Sequence, residues 1–122
     1  MAAISHELCL LTDISEGTAR GFEVPGADGP VELIVLRWGA EVSAFVNACP
    51  HQGTPLNTTE DRFFTRDGRF LLCRTHGARF RPEDGVCVSG PCVGDRLAPH
   101  AVRVKEGRVL ATFSNATNGA SG

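Results

Sequence analysis

The stretch CPHQGTPLN, residues 49–57, places a cysteine and a histidine two positions apart in a segment rich in Pro and Gly. A second cysteine and histidine, three positions apart, open the stretch CRTHGARF at residues 73–80. Cysteine and histidine are side chains that bind zinc, copper and iron–sulfur centres. Two similar pairs in one small chain therefore indicate four ligands to a single metal centre. These candidate ligands are Cys49, His51, Cys73 and His76.

A glycine follows each Cys/His pair, Gly53 in the first stretch and Gly77 in the second. Glycine lets the backbone turn tightly, and it lets N–H groups approach an anionic sulfur. Each pair also follows a strand pattern, so we expect two loops at the end of a rigid sheet, where binding sites are common. The pairs are thus predicted to approach the metal from two sides.

Length and composition indicate one globular domain. The chain has 122 residues, of which 42% are hydrophobic and 21% charged, and no apolar run is long enough to cross a membrane. The start of the sequence lacks the basic and apolar regions of a secretory signal, which favours the cytoplasm. Five cysteines are an odd number, so free thiols and metal ligands are expected rather than a disulfide framework.

Charge is distributed unevenly along the chain. Residues 1–61 hold two basic and nine acidic side chains, whereas residues 62–122 hold ten basic and five acidic ones. The basic residues around the second Cys/His pair form either a solvated face or a docking patch for an acidic partner. Nucleic-acid binding is not expected, because the pI is about 6.0 and no aromatic–basic motif accompanies the arginines. The arginines concerned are Arg62, Arg66, Arg69, Arg74, Arg79 and Arg81.

Short strands separated by turn signals predict an all-β fold, an antiparallel sandwich or barrel. Three hairpins are predicted, formed by residues 31–37 with 41–47, 63–66 with 69–73, and 101–105 with 108–113. The first turn is Trp38-Gly39-Ala40, and the other two contain Asp67-Gly68 and Glu106-Gly107. No amphipathic helix is predicted. The small polar residues 114–122 are predicted to be a disordered tail.

The two stretches resemble the C-x-H and C-x-x-H boxes of Rieske [2Fe–2S] proteins. The resemblance extends over about residues 8–113, through a Phe after the second box, a Gly-Pro loop at residues 90–91 and a terminal hairpin. It implies one Rieske domain over residues 1–113, in which two loops form a small cluster-binding part at about residues 45–92. It also implies that Cys49 and Cys73 bind one iron and that His51 and His76 bind the other.

A Rieske cluster implies a one-electron carrier rather than an enzyme in its own right. The partners implied are a flavin reductase that supplies electrons and a terminal oxygenase that accepts them, with the carrier as a soluble monomer. One alternative is a small Rieske-like subunit of a nitrite reductase or another multi-subunit oxidoreductase. A second alternative is a structural zinc module with two cysteine and two histidine ligands, although the C-x-H half is unusual for zinc.

Four positions depart from the respiratory Rieske proteins. Those proteins carry two further cysteines that link the cluster loops, and the matching positions here are Thr54 and Thr75. They also carry a Ser and a Tyr whose hydroxyls bond to cluster sulfurs and raise the potential. Here those positions are Ala78 and Phe80, so a low-potential, ferredoxin-like cluster is expected.

Two further cysteines, Cys87 and Cys92, lie in the stretch CVSGPC. They could join Cys49 and Cys73 in a four-cysteine site, but that site would leave both box histidines unexplained. We expect them instead to be small apolar residues in the loop that shields the cluster.

Overall fold

Strands make up nearly all regular structure in the computed structural model, which describes residues 3–26, 29–50, 53–57, 62–75 and 77–114. The described strands are β1 (Ala3–Leu10), β2 (Ala19–Val24), β3 (Val31–Trp38), β4 (Glu41–Val46), β5 (Leu71–Leu72), β6 (Arg79–Phe80), β7 (Cys87–Ser89), β8 (Val102–Lys105) and β9 (Arg108–Ser114). One 3-10 turn, Leu11–Asp13, follows β1. Within the described ranges, no helix is long and apolar enough to cross a membrane.

The strands form three antiparallel sheets of three strands each. Their strand orders are β1-β9-β8, β2-β3-β4 and β5-β6-β7. The predicted all-β antiparallel class is therefore confirmed. The third sheet is built from the shortest strands, and it includes the segments on both sides of the second Cys/His pair.

Strand β3 lies at the centre of the fold, and both of its faces are buried. Four consecutive apolar residues of β3 are fully buried, and alternate side chains of a strand point to opposite faces. Leu33 and Val35 belong to one hydrophobic core, which they share with Val109 and Ala111 of β9. Ile34 and Leu36 belong to the other core. The four residues LIVL at 33–36 are therefore all apolar because β3 separates two cores.

The second core connects the central sheet with the part of the chain that carries the candidate ligands. Besides Ile34 and Leu36 it contains Phe45 of β4, the neighbour in sequence of Ala44 in the first core. The other members are Ala19 of β2 and buried residues of the loops and of the third sheet, namely Cys49, Leu56, Phe63, Leu71, Cys73, Ala78, Phe80, Cys87, Cys92 and Leu97. The candidate site thus rests on a rigid apolar base.

Two of the three predicted hairpins are confirmed. Strands β3 and β4 pair from Leu33 with Val46 to Trp38 with Glu41, so the connection is the two residues 39–40. Strands β8 and β9 pair up to Lys105 with Arg108, and Glu106 and Gly107 have φ angles of 53° and 76°. Positive φ at both positions is the requirement of a type I′ turn, so the predicted third hairpin has a turn of this type.

The middle hairpin differs from the prediction. Only Leu71–Leu72 of the predicted pair is a strand, and Phe64 forms an isolated bridge with Leu71. The turn is not a two-residue type I′ turn, because Asp67 does not have the positive φ which that turn requires. Instead the Asp67 carboxylate accepts hydrogen bonds from the Thr65 hydroxyl and the Arg69 N–H. The aspartate side chain therefore organises a wider loop, and the Thr65 hydrogen bond lowers the pKa of Asp67.

The segment before β8 connects the first two sheets. The Val46 N–H donates to the carbonyl of Ala98 at 2.8 Å, and the His100 N–H donates to the carbonyl of Ala44 at 3.0 Å. The chain therefore continues along β4 before it enters the terminal hairpin. The division into a domain of residues 1–113 and a tail stays a prediction, since β9 extends to Ser114 and residues 115–122 lie outside the described part.

Candidate metal centre

The first candidate loop is a closed turn that begins at Cys49. The Cys49 N–H donates to the carbonyl of Thr54 at 2.8 Å, and the Gly53 N–H donates back to the carbonyl of Cys49 at 2.6 Å. Cys49 is 1% exposed. The two hydrogen bonds therefore fix this cysteine in the protein interior.

The second candidate loop has the same backbone pattern. The Cys73 N–H donates to the carbonyl of Ala78, and the Gly77 N–H donates to the carbonyl of Cys73, each at 2.8 Å. Cys73 is fully buried. In both loops the cysteine carbonyl accepts from the residue four positions later, and the cysteine N–H donates to the residue five positions later. The two Cys/His pairs thus belong to two equivalent turns.

The glycines of the two turns are needed for their backbone conformation. Gly53 has φ of +77° and Gly77 has φ of +78°, values that L-residues with a side chain rarely adopt. A Cβ atom at either position would meet no other atom within 4 Å. Steric room is therefore not the constraint, and the predicted role of both glycines in tight turns is confirmed.

Of the four predicted ligands, the structure places the two cysteines. Cys49 and Cys73 are buried members of the same hydrophobic core. His51 and His76 lie outside the described residues, so their assignment as ligands stays a prediction.

The two loops are joined directly by backbone hydrogen bonding. The N–H of Arg74, next to Cys73, donates to the carbonyl of Leu56 in the first loop at 2.9 Å. The Leu56 N–H in turn donates to the Asn47 side-chain oxygen at 2.8 Å, and the Asn47 amide donates to Asn57 Oδ1 at 2.9 Å. Asn47 is 7% exposed and is the buried polar residue among the described side chains. Its amide therefore holds the first loop in position beneath the second.

The Arg74 side chain adds a further connection. Its Nε donates to the carbonyl of Arg62 at 3.2 Å, and its Nη2 donates to the carbonyl of Phe64 at 3.0 Å. The sequence assigned Arg74 to a basic patch, but the structure shows that its guanidinium binds the backbone that precedes the second loop. Arg81 is likewise engaged, in an ion pair with Asp84. The arginines of the patch that remain exposed without a described ion pair are Arg62, Arg66, Arg69 and Arg79.

A third loop, residues 87–95, covers the second one. It is closed at its base by a hydrogen bond from the Cys87 N–H to the carbonyl of Asp95 at 2.8 Å. Gly90 has φ of +101°, and a Cβ atom there would lie 2.7 Å from the Cα of Ala78. The predicted Gly-Pro loop thus packs backbone to backbone against the turn that carries Cys73.

Cys87 and Cys92 form a buried thiol pair in this third loop. Their sulfur atoms are 3.1 Å apart, and the two residues are 1% and 4% exposed. Burial, followed by the hydrogen bond with Cys87, raises the pKa of the Cys92 thiol, and the nearby Cys49 raises it further. All five cysteines are free. The expectation that this pair is buried in the covering loop is confirmed.

The donor set fits an iron–sulfur centre better than a four-cysteine site. The described residues include all five cysteines, and they contain no group of three or more His, Cys, Asp or Glu side chains that could hold a metal ion. A metal bound by Cys49 and Cys73 would therefore need further ligands from outside the described residues, which is where both box histidines lie. In addition, the buried Thr54 hydroxyl in the first loop lacks a hydrogen-bond partner. The sulfur atoms of an iron–sulfur centre could accept a hydrogen bond from this hydroxyl.

The two positions that carry hydroxyls in respiratory Rieske proteins are apolar and enclosed here. Ala78 and Phe80 are both fully buried, and Ala78 also receives the Cys73 N–H at its carbonyl. Neither side chain can donate a hydrogen bond. The low potential of the centre stays a prediction.

Sequence reasoning missed three contributors to the site, namely the Asn47 amide, the Arg74 guanidinium and the Thr54 hydroxyl. An Asn at the end of a predicted strand offered a weak signal for Asn47, since Asn often bonds to loop backbone. The partners of Arg74 and Thr54 depend on tertiary structure, and no local pattern indicates them.

Comparison with known proteins identifies the whole domain. A family model described as Rieske [2Fe-2S] domain matches residues 5–113. A chain from a structure described as a complex of reduced oxygenase and oxidized ferredoxin in carbazole 1,9a-dioxygenase is 30% identical, with a TM-score of 0.69. That match covers 88% of this chain and 92% of the other. No curated protein sequence matches significantly.

Two further solved structures share the fold at lower identity. The ferredoxin of carbazole 1,9a-dioxygenase from Nocardioides aromaticivorans IC177 is 24% identical, with a TM-score of 0.70 and coverage of 90% of this chain and 98% of that one. The terminal oxygenase of carbazole 1,9a-dioxygenase from Novosphingobium sp. KA1 is 19% identical, with a TM-score of 0.72. There the match covers 92% of this chain but only 30% of the oxygenase. The match therefore covers nearly the whole length of the ferredoxin but only one part of the oxygenase.

Proposed function

Because the chain belongs to the Rieske [2Fe–2S] domain family, we propose that it is a one-electron carrier that receives electrons from a reductase and passes them to a terminal oxygenase. Its cofactor is a Rieske-type [2Fe–2S] cluster, one per chain. The observation that carries the proposal is the pair of equivalent cysteine turns inside a domain that matches the family over residues 5–113.

We assign Cys49 and Cys73 to one iron and His51 and His76 to the other. The support for the cysteines is their burial in a common core at equivalent positions of two turns. The support for the histidines is their place inside those turns, two and three positions after the cysteines. Two thiolates and two neutral imidazoles carry less negative charge than four thiolates, which makes an added electron easier to accept.

The surrounding residues suit electron transfer without bond rearrangement. When bound, the cluster stores and releases a single electron. The two turns are held by four short backbone hydrogen bonds, and Arg74 and Asn47 connect them to the rest of the domain. A rigid ligand frame changes little between oxidation states, which keeps the barrier to electron transfer low. Burial of Cys49 and Cys73 keeps water away from the sulfur-ligated side.

We propose a carrier of the ferredoxin kind. The ferredoxin from Nocardioides aromaticivorans is 24% identical to this chain, and the terminal oxygenase from Novosphingobium is 19% identical. The family assignment also favours an iron–sulfur cluster over the structural zinc site considered above. We place the carrier in the cytoplasm as a monomer without intrinsic catalytic activity, and its exposed arginines, Arg62, Arg66, Arg69 and Arg79, would face an acidic surface of a redox partner.

The test begins with anaerobic purification of the full chain. Two irons and two acid-labile sulfides per chain, together with a Rieske-type paramagnetic signal after reduction, are expected. The holoprotein should then accept electrons from a flavin reductase and support turnover of a Rieske oxygenase, whereas the apoprotein should not. Stoichiometric zinc, or an iron–sulfur cluster that passes no electrons to any oxygenase of this class, would contradict the proposal.

A further inference from the structure

The hydroxyl of Thr54 is a buried polar atom without a partner. Among the described residues it is the one buried side-chain nitrogen or oxygen that makes no hydrogen bond. Buried hydroxyls in proteins are nearly always paired, because an unpaired one has lost its bonds to water without replacement. A buried hydroxyl that the protein itself does not satisfy therefore points to a group that is bound there.

The position of Thr54 indicates which group this is. The carbonyl of Thr54 accepts the N–H of Cys49 at 2.8 Å, so residue 54 lies directly across the turn from a proposed iron ligand. The preceding residue, Gly53, donates to the carbonyl of Cys49 and completes the same turn. The first loop thus holds Thr54 and Cys49 across one turn, and a cluster bound by Cys49 would bring sulfur acceptors to this loop.

We propose that the Thr54 hydroxyl donates a hydrogen bond to a sulfur atom of the bound centre and thereby raises its reduction potential. The inference rests on the proposed function, since it requires the cluster. A hydrogen bond to sulfur stabilises the reduced state more than the oxidised state, because reduction adds negative charge to the sulfur atoms. The carrier therefore retains one hydroxyl donor in its first loop, although Ala78 and Phe80 supply none in the second.

The second loop provides an internal comparison. Thr75 lies in the second turn, two positions after Cys73, but its side chain is exposed to solvent. Its hydroxyl can bond to water, so it has no need of a sulfur acceptor. The two threonines are therefore predicted to differ in their influence on the cluster, even though both lie beside a ligand.

The experiment measures the midpoint potential of holoprotein variants by voltammetry. Thr54→Val keeps the shape and removes the hydroxyl, so the equilibrium constant for reduction should fall about tenfold, which for one electron is about 59 mV toward lower potential. Thr54→Ser should retain the wild-type potential, and Thr75→Val serves as the matched control and should leave it unchanged. Equal potentials for Thr54→Val and wild type would overturn the inference.

Two additional readouts keep the result decisive. If Thr54→Val does not retain iron and sulfide, Thr54→Ala and Thr54→Ser replace it as the compared pair, with the same expected difference. Resonance Raman spectra in H2O and D2O should show a deuterium shift of iron–sulfur modes that is smaller in the variant without the hydroxyl, and an unchanged shift counts against the inference. A wild-type protein without any cluster would instead overturn the proposed function, so the two failures are distinguishable.

Discussion

Gly90 packs directly against Ala78, and its missing side chain makes this contact possible. A Cβ atom at residue 90 would lie 2.7 Å from the Cα and 3.2 Å from the backbone nitrogen of Ala78. Both of those atoms belong to the turn that holds Cys73, whose N–H is bonded to the Ala78 carbonyl. The covering loop and the second ligand turn therefore form one packed unit, and a change in one displaces the other.

Substitution Gly90→Ala is expected to destabilise the domain and accelerate loss of the cluster. The added Cβ atom would overlap the backbone of Ala78, and no side-chain rotation can relieve this. We therefore expect the free energy of unfolding to fall by about 1–3 kcal/mol. Gly94→Ala is the matched control, because Gly94 has a similar φ of +96° but a Cβ atom there would meet nothing within 4 Å. Chemical denaturation and the decay of the visible spectrum should separate the two variants. Equal losses would mean that backbone strain, not contact with Ala78, explains the glycine.

Replacement of either box histidine tests the ligand assignment. His76→Ala or His51→Ala should abolish the Rieske-type paramagnetic signal, because each removes a nitrogen ligand from the proposed outer iron. His6→Ala is the control, since His6 lies exposed on β1, outside the two boxes. Electron paramagnetic resonance of the reduced proteins is the measurement. An unaltered signal in His76→Ala would remove that residue from the ligand set.

Arg74 is expected to act through the backbone that it binds rather than through its charge. Arg74→Ala removes donors to the carbonyls of Arg62 and Phe64, and a loss of about 1 kcal/mol in the free energy of unfolding is expected for these exposed bonds. Arg66→Ala removes the same charge from an exposed position, and it should lower the free energy of unfolding far less. Thermal unfolding of the holoproteins compares them. If both variants lose the same stability, the effect is one of net charge and the structural role is wrong.

Much of the candidate site follows from local sequence. The spacing of each cysteine to its glycine, four residues in both loops, defines the turn through backbone hydrogen bonds that need no distant partner. The hairpin at Glu106-Gly107 is equally local. The run of apolar residues in β3 also predicted a strand, although the two cores on its faces become visible only in the fold.

The features that the sequence did not predict depend on the hydrogen-bond partners of particular side chains or belong to strands too short to show a pattern. Asp67-Gly68 has the composition of a tight hairpin, yet the Asp67 carboxylate binds Thr65 and Arg69 and widens the loop. In the sequence Arg74 cannot be distinguished from the other arginines of the basic patch, because its carbonyl partners are set by the fold. Strands as short as β6 and β7 carry no periodic signal, because two or three residues cannot show an alternation.

The buried thiol pair gives a prediction on reactivity. Burial raises the pKa of both Cys92 and Cys9, so both thiols stay mainly protonated near pH 8, and thiolate is the form that alkylating reagents attack. Access separates the two, because Cys9 is half-buried whereas Cys92 is 4% exposed, so iodoacetamide should modify Cys9 well before Cys92 in the native holoprotein. Peptide mapping by mass spectrometry follows both sites. Equal rates at pH 8 would show that the covering loop does not shield its cysteines.

Restoring the missing hydroxyls should raise the reduction potential. Ala78→Ser combined with Phe80→Tyr supplies two donors at positions where the chain has none, and each new bond that favours reduction about tenfold adds roughly 60 mV for one electron. Both positions are fully buried, and the Cβ atom of Ala78 lies beside Gly90, so the added atoms require small adjustments of the covering loop. Phe64→Tyr, which adds a hydroxyl to a half-buried side chain before the second turn, is the control and should leave the potential unchanged. Voltammetry of the three holoproteins decides the matter: if the double variant matches the wild type while retaining its iron, the absence of donors at residues 78 and 80 does not set the potential of this centre.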